Sequence, residues 1–124
     1  MSDLVRVAVD AMGGDYAPVE PVKGAVEAVN ADERVKVQLV GQVDVIEKEL
    51  QKYTYPKERV EIVPATEIIE TGEPPVNAIR HKKDSSIVVG MKKVRYGEAD
   101  AFVSSGSTGA VLVGGQTIVG RIKG

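Results

Sequence analysis

The sequence contains no cysteine and only one histidine among its 124 residues. The missing cysteine excludes disulfides, thiolate metal sites and a cysteine nucleophile together. His81 has no second histidine or cysteine beside it with which to hold a metal. Neither sign of charge is in excess. Lys plus Arg number 16 and Asp plus Glu 18, a net charge of −2. A protein that coats nucleic acid wants a clear basic surplus, so that class is disfavoured. No run approaches the roughly 18 consecutive apolar residues of a membrane span. The opening MSDLVRVAVD lacks the basic and apolar regions of a signal peptide. No internal repeat, low-complexity tract or linker is visible. The expectation is a soluble, intracellular globular chain, large enough to bury about two-thirds of its unfolded surface.

What is present alternates between two periods. Leu4 to Val9, Val35 to Val40, Val60 to Val63 and Ala101 to Val103 are short and mostly apolar, rich in β-branched residues, as strands of a covered sheet are. Helical spacing lies between them. Val22, Ala25, Val26 and Val29 follow the i, i+3, i+4, i+7 pattern, with Pro21 suited to a first turn. Asp44 and Glu47 read as a capping box opening VIEKELQKY. Asp84, Ser85 and Ser86 offer caps for a helix through Ile87, Val88, Met91 and Val94, stopped near Gly97. Strands alternating with helices predict βαβ units and a parallel sheet with right-handed crossovers. Gly109 to Gly124 starts with helical spacing and then stops without a cap or a closing strand. Residues 1–124 therefore read as the N-terminal part of a single α/β domain belonging to a longer protein.

Ligands of parallel sheets bind outside the carboxyl ends of the strands, and three unusual loops fall there. After the first strand, Asp10, Gly13, Gly14 and Asp15 combine adjacent glycines, which allow close backbone approach, with two carboxylates. The same residues also suit a tight turn with Asp15 as a helix cap. The adjacent glycines are not a GxGxxG dinucleotide fingerprint, and two carboxylates beside them are too few to argue Mg²⁺. After the fourth strand, Ser104, Ser105, Gly106, Ser107, Thr108 and Gly109 place hydroxyls and glycines before a helix, a combination suited to an anion or to ordinary capping. No P-loop lysine follows. The third loop, Pro64 to Pro75, leads into a basic run holding Arg80, His81, Lys82 and Lys83, which fits either an anion or a solvated helix face. The residues alone describe an anion-binding α/β domain. A non-catalytic phosphate-binding or nucleotide-binding module remains as an alternative to an enzyme.

Four segments in order carry a resemblance: DAMGGDYAP, then Pro75 to Ser86, then GEADAFVSSGSTGA, then IVGRIKG. Together they resemble the N-terminal part of the bacterial phosphate acyltransferases of phospholipid synthesis, the PlsX family. The family usually shows Ala and Asn where this chain has Ser105 and Ser107, so a hydroxyl stands in place of an amide. The resemblance implies a Rossmann-like three-layer α/β/α fold with a mainly parallel sheet, similar to isocitrate dehydrogenases and phosphotransacetylases. It implies a cytoplasmic homodimer, peripherally membrane-associated; on the residues, no cofactor or metal is expected. Its reaction would move a fatty acyl group from acyl carrier protein to inorganic phosphate, supplying a membrane glycerol-3-phosphate acyltransferase. Ser105 to Gly109 would then cradle phosphate, with Ser107 and Thr108 at the reacting centre. Lys82 and Arg80 would offset its charge, and Asp10, Gly13, Gly14 and Asp15 would form the pocket wall.

Overall fold

The computed structural model describes residues 4–13, 16–67 and 74–104. Four strands, β1 (Val5–Asp10), β2 (Val35–Gly41), β3 (Val60–Pro64) and β4 (Ala101–Val103), form one sheet in the order β3-β2-β1-β4. Every pairing is parallel. The connecting helices are α1 (Val19–Ala31), α2 (Val43–Leu50), α3 (Pro75–His81) and α4 (Ser86–Arg95), with a single 3₁₀ turn at Lys57–Arg59. Strand side chains alternate between two faces. Leu39 and Val37 point toward α1 and α2, where they pack with Val22, Val26, Val29, Ile46 and Leu50. Ala8, Val40 and Val63 form a second cluster on the opposite face, joined by Val89 and Val94 of α4 and by Phe102. This is the three-layer α/β/α architecture of Rossmann-like domains.

Local chemistry explains most element boundaries. The periodic residues Val22, Ala25, Val26 and Val29 are the buried stripe of α1. Pro21 lies in its first turn, where no intrahelical bond needs its missing N–H, the first such bond running from Val22 N to Pro18 O. Arg59 closes the far end of α1, its guanidinium donating to the carbonyls of Val29, Asp32 and Val35 at 2.9 Å each. Ser85 caps α4 by accepting from Val88 N at 3.2 Å. That helix stops in a Schellman turn: Gly97 sits at φ 74°, and Glu98 N and Gly97 N return to the carbonyls of Lys93 and Val94.

Two expectations need correction. The capping box at Asp44 and Glu47 does not form. The chain leaves β2 at Gly41 and turns at once, so α2 starts at Val43 after an extended Gln42, with no side-chain cap bond. Asp44 instead lies inside the first turn, where its charge meets the positive helix end. The same helix ends at Leu50 rather than reaching Tyr53, and Lys52 N and Tyr53 N close a tighter turn on Glu49 O and Leu50 O. Gln38 is a polar residue in the middle of β2. It is buried on the α4 face, and its amide donates to Glu98 O at 2.7 Å, tying β2 to the turn after α4.

Candidate functional site

Register aligns the carboxyl ends of all four strands along one edge. Asp10 sits opposite Val40, Gly41 opposite Pro64 and Val9 opposite Val103. Strand order runs 3-2-1 and then jumps to 4, so the reversal falls between β1 and β4. That is the switch point where open parallel sheets receive ligands. Asp10 and Ser104 stand at the carboxyl ends of those two strands.

Asp10 is 2% exposed, and its carboxylate is held by three donors. Met12 N donates to Oδ1 at 3.0 Å, Ser86 Oγ donates to the same oxygen, and Ser104 Oγ donates to Oδ2 at 2.7 Å. A buried carboxylate is costly unless it is hydrogen-bonded. Here the donors are supplemented by the positive end of α4, whose first residue is Ser86. Ala11 N continues the ladder to Val40 O, and Ala11 and Gly13 are buried. Gly14 and Asp15 lie outside the described residues.

The start of α4 is fixed from a second direction. Thr66 donates to Asp84 Oδ2 from both its N–H, at 3.0 Å, and its hydroxyl. These bonds hold the Asp84 carboxyl below its usual range. Glu67 N donates to Asp84 O, Asp84 N to Glu67 Oε1, and Ser86 N to Glu67 O. The segment after β3 thus clamps the residues that open α4.

The basic run is not one helix face. Arg80 and His81 are exposed in the last turn of α3, where cations suit the negative helix end. Lys82 is half-buried in the turn between α3 and α4, its carbonyl accepting from Ser85 N at 3.1 Å. Ser105, Gly106, Ser107, Thr108 and Gly109 lie outside the described residues. Only the anchor of that loop, Ser104, is placed. Ser86 and Ser104 are the two partners of Asp10 that sequence reasoning did not assign. Ser86 was read as a cap and Ser104 as a loop member. A hydroxyl on the first residue of a crossover helix, facing an Asp at a switch-point strand end, is the signal that would have found them.

Beside this cluster, an apolar groove of about 370 Å³ runs between α1 and the β1–β4 pair. Val7, Val9, Pro21, Gly24, Ala28 and Val103 line it, with Asp10 and Ser104 at one end. Among the described residues, no three His, Asp or Glu side chains gather as metal ligands. No helix among them is long and apolar enough to cross a membrane.

These features define a Rossmann-like α/β domain whose polar groups gather at the carboxyl ends of its strands. The chain belongs to the family described as fatty acid synthesis protein, whose model matches residues 5–124. It is 51% identical over 121 residues to a phosphate acyltransferase of Alkaliphilus oremlandii, covering 97% of this chain and 36% of that protein. Phosphate acyltransferases of Clostridium beijerinckii and Clostridioides difficile are 49% and 48% identical over 120 residues, again across 97% of this chain. The chain spans about a third of the length of the curated relatives it matches.

Proposed function

We propose that the chain is the N-terminal part of a phosphate acyltransferase that moves a fatty acyl group from acyl carrier protein to inorganic phosphate. The observation that carries this reading is the 51% identity to a phosphate acyltransferase along nearly the whole chain. The chemistry suits the residues at hand. Phosphate is largely dianionic at neutral pH, its second pKa being about 6, so the nucleophile needs little help from a base. The leaving thiol has a pKa of about 8.5 and departs without a strong acid. The site must therefore position phosphate and stabilise a tetrahedral oxyanion, for which hydroxyls and glycine backbone are suitable tools.

In this reading Ser105 to Gly109 cradle phosphate, with Ser107 and Thr108 nearest the reacting carbon. Lys82 and Arg80 offset the charge, and Asp10, Gly13, Gly14 and Asp15 form the wall. The product, an acyl phosphate, passes to a membrane glycerol-3-phosphate acyltransferase. The enzyme works as a cytoplasmic homodimer that associates peripherally with the membrane. Hydroxylamine trapping of acyl phosphate tests the reaction in a protein of the relatives' full length, with acyl carrier protein thioester and phosphate supplied. Phosphate-dependent product is expected. An intact thioester and no product would overturn the acyltransferase reading and leave a phosphate-binding module.

A further inference from the structure

The face of the sheet beneath α1 is covered unevenly. Val37 and Leu39 of β2 are buried there, 2% and 0% exposed. Over β1 and β4, Val7 and Val9 are only half-buried and Val103 is 54% exposed, although β1 is flanked by strands on both sides. On the other face of β1, Ala8 is 0% exposed. The uncovered strip is the floor of the apolar groove of about 370 Å³, and the side of α1 carrying Gly24 and Ala28 is its wall.

Packing within the domain does not explain Gly24. It sits in the middle of α1 without a positive φ, and a Cβ added to it would meet nothing within 4 Å. Glycine is the weakest helix former after proline, so a larger side chain here would favour the helix. It would also stand in the groove. A bare position leaves the helix backbone open to close approach by whatever lies there. The groove also changes chemistry along its length. Because α1 follows β1 and runs back across the sheet, Asp10 and Ser104 mark one end, at the switch point, and Ala28 and Val35 the other. A flat protein surface would match the aliphatic strip alone. A linear hydrocarbon with a polar head matches both the strip and its end. We propose that the groove holds the acyl chain of the thioester, its carbonyl end toward Asp10 and Ser104, and that Gly24 sets how long a chain is accepted. This deepens the acyltransferase reading and rests on it.

The test is made in a protein of the relatives' full length, supplied with phosphate and with butyryl, octanoyl or palmitoyl thioesters of acyl carrier protein. Each methylene kept out of an apolar site weakens binding about fourfold. Gly24→Leu should therefore lower the ratio of palmitoyl to butyryl kcat/KM by more than about tenfold. The KM for phosphate should stay in place and Tm should hold or rise. Ala28→Leu, about 6 Å further from the polar end, should lower kcat/KM for palmitoyl and spare octanoyl. Lys23→Leu puts the same side chain on an exposed part of α1 outside the groove and keeps the parental length profile. The proposal falls if folded Gly24→Leu also keeps that profile. It falls equally if Gly24→Leu lowers Tm and slows all three lengths alike, which would give the groove to another part of the protein or to a second copy. A parent that transfers none of the three acyl groups to phosphate overturns the acyltransferase reading itself. An active parent with an indifferent Gly24→Leu ends only the role of the groove.

Discussion

The two faces of the sheet are covered by different materials. The α1–α2 face is mainly aliphatic, with Val22, Val26, Val29, Val37, Leu39, Ile46 and Leu50 packed together, Tyr53 and Tyr55 against them, and Glu49 of α2 its one buried charged side chain among the described residues. The α4 face buries Ala8, Val40, Val63, Ile87, Val88 and Met91 and carries Gln38, Ser85, Ser86 and Asp10 among them. The first face offers undirected burial, worth roughly 25 cal/mol per Å² of apolar surface removed from water. The second face spends burial on polar groups whose value lies in angle and distance. The difference separates what holds the domain together from what sets the geometry of its strand ends.

Removing a side chain from the aliphatic face should give the largest effect on stability and the least on the site. Leu39→Ala is expected to cost about 3 kcal/mol, because a fully buried leucine leaves a cavity. Denaturant unfolding measures this. A phosphate affinity that changed in step, at temperatures where the variant is folded, would break the division between the faces.

A smaller change on the α4 face should be felt at the strand ends. Gly90 has no Cβ because the Phe102 ring lies where one would go; a methyl there would stand 2.3 Å from the ring edge. Gly90→Ala gains helix propensity but pushes Phe102, and β4 with it, for a net loss of about 1 kcal/mol. Since Ser104 follows that strand, a loss of phosphate affinity should accompany the modest drop in Tm. A stable variant with unaltered affinity would show that β4 can move without disturbing Ser104.

Acid titration gives the smallest effect and belongs to neither face. Asp32 is held down to about 2, first by the Arg34 side-chain hydrogen bond and then by the Arg34 N–H. Asp100 is lowered by the Arg6 N–H and then its guanidinium, and Asp84 by Thr66. Carboxylates depressed in the folded state add stability that is complete above their ordinary value near 3.8 and is lost as pH falls toward 2. Asp84 and Asp100 are solvent-exposed and Asp32 is only partly covered, so the effect is slight. The Tm of Asp32→Asn should lie a little below the parent at neutral pH, and the two curves should meet in acid. Curves that stayed parallel would remove Asp32 from the account.

Legibility in the sequence followed the range of the interactions. The strands, the α1 stripe, the Ser85 cap and the Gly97 stop are written in neighbouring residues, and the structure has them where the pattern puts them. The start of α2 was missed because Gly41 and Gln42 complete the turn two residues before the Asp44 pattern allows. Asp10 was readable as a polar residue at a strand end. Its partners were not, since nothing local distinguishes the hydroxyl of Ser86 from that of Ser85. The burial of Gln38 was equally hidden, because its acceptor Glu98 belongs to a distant turn.

The central position of β1 also dictates an order of assembly. Its pairing with β2 needs only the intervening α1, whereas β4 must return across most of the chain, as in the 94-residue separation of Arg6 and Asp100. Long closures lose more chain entropy before they gain contacts. On a ribosome, β1, α1 and β2 can pair while the rest is still being made, and Asp10 waits without two of its three donors until Ser86 and Ser104 have emerged. The nascent chain thus carries a stretch of open β1 edge, whose unpaired N–H and C=O groups can accept another strand until β4 arrives.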